Sequence, residues 1–326
     1  MTAATAPVTK HAPEPAADDP VTPPTPLPHT PHRRLKIPRR LVPVALVGPA
    51  GMFLAAFMLV PLVMVLGLSL FDYKPLNRRL DFVGLTNWHR MFSAPELGQA
   101  TINTVLYAVM TVPVIVVFAL LVALAIHSVP RLGTLWRTVY FLPTVATLTA
   151  MSVVWRWLFY PESGLVDSTV GRLFGVTDWL HSTSLALPAI AIIGCWAGIG
   201  SSTVMFLAGL STVPQHLHEA ARLDGAGPWH RFWTVTWPTL GPATMFALIT
   251  ASRDALRVFD QVQVMTMGGP LGSTETLSHL QWRFGVRYLD IGSSSVVNAV
   301  LLALVLMTVV AQYMAGGRRL EQAGSR

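Results

Sequence analysis

Apolar residues fall into six long runs, at about 41–70, 103–127, 135–159, 185–210, 242–256 and 296–314, set apart by stretches rich in polar residues, proline and glycine. A bilayer core about 30 Å thick takes roughly 20 apolar residues per helix. Within hydrocarbon, backbone N–H and C=O groups are satisfied only inside helices or closed barrels. Runs of this length, without strict alternation, predict an all-α, polytopic membrane protein with about six transmembrane helices. The fifth run is the shortest, because Arg253 and Asp254 interrupt its far end. Residues 1–32 are rich in Pro, Ala and Thr and poor in large apolar side chains, a composition that cannot offset its ordering entropy and predicts a disordered tail.

The basic residues Arg33, Arg34, Lys36, Arg39 and Arg40 stand directly before the first run. A secretory signal has an apolar region of only about 7–15 residues. The first run is too long for that, so it reads as an uncleaved span, and the Arg33-Arg34 pair as an anchor rather than a twin-arginine export signal. The resulting organisation is a tail with a basic anchor (1–40), a transmembrane body (41–317) and a short C-terminal tail (318–326). Lys and Arg mark cytoplasmic loops. The tail, the turn with Arg131, the loop with Arg222 and Arg231, and the end with Arg318 and Arg319 share one side, which places both termini in the cytoplasm. Lys74, Arg78, Arg79 and Arg90 fall on the other side. The outer loops are then about 71–100, 160–184 and 258–295.

Composition agrees with a membrane protein. The 326 residues are 52% hydrophobic and 12% charged, whereas a soluble domain carries about 25% charged residues. The net charge of +7 sits beside apolar runs, so it reads as anchoring to lipid and not as a nucleic-acid footprint. The single cysteine, Cys195, allows no internal disulfide and no CxxC metal site, and reads as packing.

One inner loop, about 211–238, has its own pattern. Ser211 or Thr212 is placed to cap a helix that starts at Pro214, and Gly225 stands where such a helix needs a left-handed exit. Leu217, Ala220 and Ala221 share a face at helical spacing, with Glu219 and Arg222 towards the other. Pro228 starts a second turn, and Phe232 and Trp233 suit the membrane interface. On physics alone, an interfacial connector that merely turns the chain fits as well as a docking element.

The residue order goes further. Glu219-Ala220-Ala221-Arg222-Leu223-Asp224-Gly225-Ala226, followed by Val235, Trp237 and Pro238, resembles the EAA loop of the permease subunits of binding-protein-dependent ATP-binding-cassette importers. Glu219, Ala220, Ala221, Gly225 and Pro238 match that pattern in register, with Val235 for Ile and Trp237 for Leu. The Asp224-Gly225-Ala226 form resembles the carbohydrate branch. Phe82 through Trp88, Phe141 through Pro143, Trp155 through Phe159, and Val258 through Pro270 are similar to further family elements in the same order, so the resemblance covers nearly the whole chain after the tail. The closest branch looks like the maltose and glycerol-phosphate permeases.

The resemblance implies a multi-pass permease in a bacterial cytoplasmic membrane, importing a sugar or a related polyol or sugar phosphate. Its implied partners are a second homologous permease subunit, an ATPase dimer that docks on the EAA loop, and an extracytoplasmic solute-binding protein. ATP and magnesium would be used by the ATPase, with no cofactor on this chain. The sequence agrees on that point: the only lysines, Lys10, Lys36 and Lys74, follow no glycine, so no phosphate loop is present.

The rival readings are a secondary transporter and a membrane-bound enzyme. The runs are poor in Asp and Glu and show no inverted repeat, against the first. No nucleophile–base pair stands out, against the second. His218 and Glu219 begin an HExxH-like pattern, but Arg222 replaces its second histidine, so no metal site is expected. Candidate substrate-path residues are Arg253, Asp254 and Arg257 at the end of the fifth run, with Trp196, Ser201 and Ser202 in the fourth. Their structural readings are ion pairing among the charges and close helix packing for the rest.

Overall fold

The structure is a computed structural model, and it describes residues 41–75, 79–129, 138, 140, 144, 146–175 and 178–324. The predicted tail and basic anchor, Arg78, Arg131 and 141–143 lie outside the described residues. The chain divides into two units, Met1–Phe53 and Leu54–Arg326. The described part of the first is helix α1 (Leu41–Leu54), whose last residue belongs to the second.

Among its described residues, the second unit is mainly helical, with one short antiparallel hairpin. Helix α2 (Val60–Leu68) leads into strands β1 (Phe71–Lys74) and β2 (Arg79–Phe82), paired in the register Phe71–Phe82 to Lys74–Arg79. Helices α3 (Thr86–Ser93), α4 (Pro95–Ser128), α5 (Leu148–Leu158) and α6 (Ala186–Ser211) follow. The inner loop holds α7 (Gln215–Leu223), and then come α8 (Gly241–Leu256), α9 (Asp260–Met265), α10 (Leu277–Trp282) and α11 (Ile291–Gly324). Among the described residues, four helical stretches are long and apolar enough to cross a membrane: Val47–Leu68, Pro95–Ser128, Ala186–Ser211 and Ile291–Gly316. They fall on the first, second, fourth and sixth predicted spans. The third is described mainly as α5, and the fifth as α8, which is 16 residues long.

Two boundaries differ from the sequence reading. The outer segment 71–100 is not a plain loop: it carries the hairpin and α3, and α4 begins at Pro95, eight residues before the predicted span. Pro95 lacks an N–H and suits a first helical turn, where Glu96 adds a favourable charge. At the other end of the chain, α11 continues as helix through the predicted C-terminal tail to Gly324.

Helix α4 shows how a membrane helix sorts its faces. Tyr107, Thr111, Ile115, Ala119, Ala123 and Ile126 are buried at helical spacing, while Val109, Val117, Phe118 and Leu121 are exposed. Both faces are apolar, because the outer one meets lipid, not water. The buried stripe packs along α6, and the approach is close because α6 offers glycine at the crossing. A Cβ at Gly194 would lie 1.9 Å from the Tyr107 hydroxyl, and one at Gly198 would lie 2.7 Å from Ile115 Cδ1. Small residues let membrane helices approach in this way. Cys195, half-buried beside them, faces the Thr111 carbonyl at 3.9 Å. A second cluster, with Phe206, Leu210, Leu240 and Ala247, ties α6 to α8 and α4. A third joins α3, the start of α4, α10 and α11 through Met91, Leu97, Leu280 and Val297.

Candidate functional site

Two regions carry candidate chemistry. The first is the inner loop. Helix α7 begins after Pro214, whose extended backbone makes it the cap residue itself and not the first turn. The predicted caps are used elsewhere: Ser211 Oγ donates to the Ala208 carbonyl and Thr212 Oγ1 to that of Gly209, both at 2.7 Å. These hydroxyls close the end of α6, where orphan carbonyls need donors, rather than opening α7.

The end of α7 follows the predicted exit. Gly225 has φ +78°. Its N–H donates to the Arg222 carbonyl at 3.0 Å, and the Ala226 N–H donates to that of Ala221 at 2.9 Å. This pair of bonds is the glycine-terminated helix cap in which a left-handed residue reverses the chain. No residue of α7 is buried. Glu219, Ala220 and Asp224 are exposed, Ala221 and Ala226 are half-buried, and Leu223 is 90% exposed. The amphipathic helix therefore leaves Leu217, Ala220 and Leu223 exposed. Beyond it, the rings of Trp229, Phe232, Trp233 and Trp237 pack in a series with centroids 5.2–6.2 Å apart. Pro238 is exposed at the start of the next helical turn, and Leu240 is buried beneath it.

The second region is a cavity of about 240 Å³ walled by α4, the start of α5 with Thr144 and Ala146 before it, α6, α8 and the segment after α8. Of the sequence candidates, Ser201, Ser202, Asp254 and Arg257 line it. Trp196 and Arg253 do not. The Trp196 ring packs edge-on to Trp155, with centroids 5.7 Å apart, and Arg253 donates twice to Asp254 Oδ1, at 3.0 and 2.8 Å. Arg257 lies just past the last turn of α8, at the helix C-cap.

Sequence reading missed Tyr107, Thr111 and Asp260 as wall residues. The signal for the first two was present, since they stand four apart on the polar edge of an otherwise apolar span. Asp260 was read from sequence as part of a motif and as an ion-pair partner for Arg253 or Arg257. It opens α9, and its Oδ1 accepts a bond from Thr149 Oγ1 of α5 at 2.8 Å. Among the described residues, no group of three His, Cys, Asp or Glu side chains is placed to hold a metal ion.

Comparison with known proteins fits this geometry. The family model of binding-protein-dependent transport system inner membrane components matches residues 91–319. The chain is 34% identical over 285 residues to the sulfoquinovosyl glycerol transport system permease protein SmoG of Agrobacterium fabrum, covering 86% of this chain and 92% of that one. It is 33% identical to the lactose transport system permease protein LacF of Rhizobium radiobacter, covering 82% and 90%. Its fold matches a chain of a bacterial alginate ABC transporter crystallised with an alginate pentasaccharide-bound periplasmic protein, with a TM-score of 0.71 and 18% identity over 86% of this chain and 96% of that one. Membrane-length helices, the exposed glycine-capped α7 and a match spanning most of the chain lead to one assignment: this chain belongs to the family of inner-membrane permease components of binding-protein-dependent ABC importers.

Proposed function

We propose that this chain forms half of the translocation path of an importer for a sugar or a related polyol or sugar phosphate. The observation that carries the reading is α7: a short, glycine-capped helix with no buried residue, exposed between α6 and α8. Such an element passes on a partner's movement where a slack loop would absorb it. In this reading Glu219, Ala220, Ala221, Asp224, Gly225, Ala226 and Pro238 form the contact with a separate ATPase. That partner hydrolyses ATP with magnesium, because this chain has no phosphate loop. The loop and both termini are cytoplasmic, by the distribution of Lys and Arg.

A second permease subunit completes the pore, and a solute-binding protein delivers solute from outside. The binding-protein dependence of the family and the periplasmic protein bound to the alginate transporter support that partner. The names of SmoG and LacF support a carbohydrate solute. Ser201, Ser202, Asp254 and Arg257 contact the passing solute, with Trp196 and Arg253 holding neighbouring side chains in place.

The test is a tagged pull-down from membranes in mild detergent, with every co-purifying chain identified by mass spectrometry. A phosphate-loop ATPase, a second multi-span chain and a binding protein are expected. Recovery of this chain alone, in a detergent that keeps a known importer intact, overturns the reading.

A further inference from the structure

From the pairing of the β1–β2 hairpin and its place at the end of α2, we infer that its aromatic face rests on lipid, in the leaflet where α2 ends. The hairpin is then an interfacial anchor and not a free loop. The inference goes beyond the importer reading and holds whatever the solute.

The register sorts the side chains. Residues directly opposite in an antiparallel pair share a face, and successive residues alternate. Phe71 pairs with Phe82 and Tyr73 with Leu80, so these four share one face. Asp72 pairs with Asp81 and Lys74 with Arg79, so the other face carries four charges, two of each sign. Lys74 Nζ lies 3.5 Å from Asp72 Oδ2. On the apolar face, the Phe71 and Phe82 rings meet edge-on with centroids 5.3 Å apart. Leu80 is 54% exposed and Phe82 is 69% exposed. A ribbon with water on both sides needs no such division.

Position selects the occupant. The membrane-length stretch Val47–Leu68 ends only two residues before Phe71. Three residue steps reach about 10 Å at most. The strand therefore starts at the edge of the hydrocarbon, where an amphipathic element buries its apolar face about 5–10 Å into the boundary of headgroups and acyl chains. Tyrosine is enriched at that level, because its ring is apolar and its hydroxyl is wet.

The hairpin is firmly mounted there. The Val83 N–H donates to the Leu70 carbonyl at 3.0 Å and extends the ladder. Asn87, 1% exposed, donates to the carbonyls of Ser69 and Phe71 at 3.0 and 2.9 Å. A Cβ at Gly292, in the first turn of α11, would lie 2.6 Å from the Phe71 carbonyl oxygen. The aromatic face is thereby fixed to the ends of α2 and α11, and its depth in the lipid sets theirs.

Spin labels read the alternation. With Cys195→Ser as background, Leu80→Cys, Asp81→Cys and Phe82→Cys each carry one nitroxide. All three positions are exposed, so a label displaces little packing. The chain, purified with its partners in lipid nanodiscs, is compared for collision with oxygen, which partitions into lipid, and with a water-soluble nickel chelate.

Oxygen should dominate at positions 80 and 82 and the nickel chelate at position 81. Nickel-dominated collisions at all three positions overturn the inference. Shielding of 80 and 82 from both agents also overturns it, because protein then covers the face. Water exposure that turns to shielding when the solute-binding protein is added overturns it and assigns the face to that protein. A benzophenone amino acid in place of Phe82 keeps an aromatic ring there and gives an independent reading. Photolysis should add the mass of one phospholipid to this chain, whereas crosslinking only to another protein overturns the inference. Absence of an ATPase from the pull-down would sink the importer reading and leave this pattern standing.

Discussion

Asn103, in the third turn of α4, donates one amide hydrogen to the carbonyl of Glu275 and the other to that of Gly272, both at 2.8 Å. Asn103 is 3% exposed and Glu275 4% exposed. One side chain thereby pins the loop between α9 and α10 to a membrane helix about 170 residues earlier. Thr104, the next residue, accepts the Leu277 N–H at 2.9 Å. Asn103→Leu keeps the volume and strands the Glu275 carbonyl, whereas that of Gly272 still accepts from the Glu275 N–H at 3.1 Å. At about 1–3 kcal/mol for a buried polar group left without a partner, the variant should lose about that much. Unfolding of purified protein in detergent measures it, and Asn103→Gln should not rescue, since the longer side chain cannot reach both carbonyls in place.

The Gly194–Tyr107 contact is similarly specific. A Cβ at residue 194 would lie 1.9 Å from the Tyr107 hydroxyl but 3.0 Å from Cζ. Gly194→Ala should cost about 1–3 kcal/mol by overpacking. Removing the hydroxyl with Tyr107→Phe opens room, so the cost of Gly194→Ala should fall by at least half in that background. Equal costs in the two backgrounds, measured as a double-mutant cycle, would place the strain elsewhere.

At Gly225 the constraint is conformational and not steric, because an added Cβ meets nothing within 4 Å. Gly225→Val must hold a β-branched residue at φ +78°, at a cost of about 1–2 kcal/mol, and the end of α7 should refold locally. Membrane insertion should be unchanged, while co-purification of the ATPase or solute-stimulated ATP hydrolysis falls. Gly225→Asn tolerates the left-handed region better and should retain more of both. If the valine variant transports like the wild type, the α7 geometry does not matter for coupling.

How much of this was legible in the sequence depends on how local the cause is. The spans, the glycine exit and the exposed α7 were readable because length, periodicity and one left-handed residue determine them. The helix-closing role of Ser211 and Thr212 was not, since a hydroxyl between two helices can serve either end and only the position of Pro214 decides. Asn103 looked like the polar edge of an apolar run, because its partners lie about 170 residues away. The same holds for the cavity: Trp196 and Arg253 had suitable chemistry but are turned to Trp155 and Asp254, while Tyr107 and Thr111 came to the wall only through the α4–α6 crossing.

The buried charges of the same outer segment give the last prediction. Glu275 Oε2 accepts from Arg283 at 3.2 Å, and its Oε1 faces His279 Nδ1 at 2.8 Å. His279 Nε2 lies 2.8 Å from Gln263, and Arg283 also reaches Glu96 at the start of α4, at 2.9 Å. Removing one member of a buried charge pair leaves the other without compensation, which costs about 3–5 kcal/mol when fully buried. Arg283 is one-fifth exposed and keeps Glu96, so its unpaired charge is partly hydrated. Glu275 is nearly sealed. Arg283→Leu, which abandons the sealed carboxylate, should therefore destabilise more than Glu275→Leu, which abandons the better-hydrated guanidinium. The double variant should cost less than the sum by about 0.5–3 kcal/mol. Thermal unfolding of the four proteins in one detergent measures the cycle. Strict additivity would show that Glu275 is held by His279 and that Arg283 serves only Glu96.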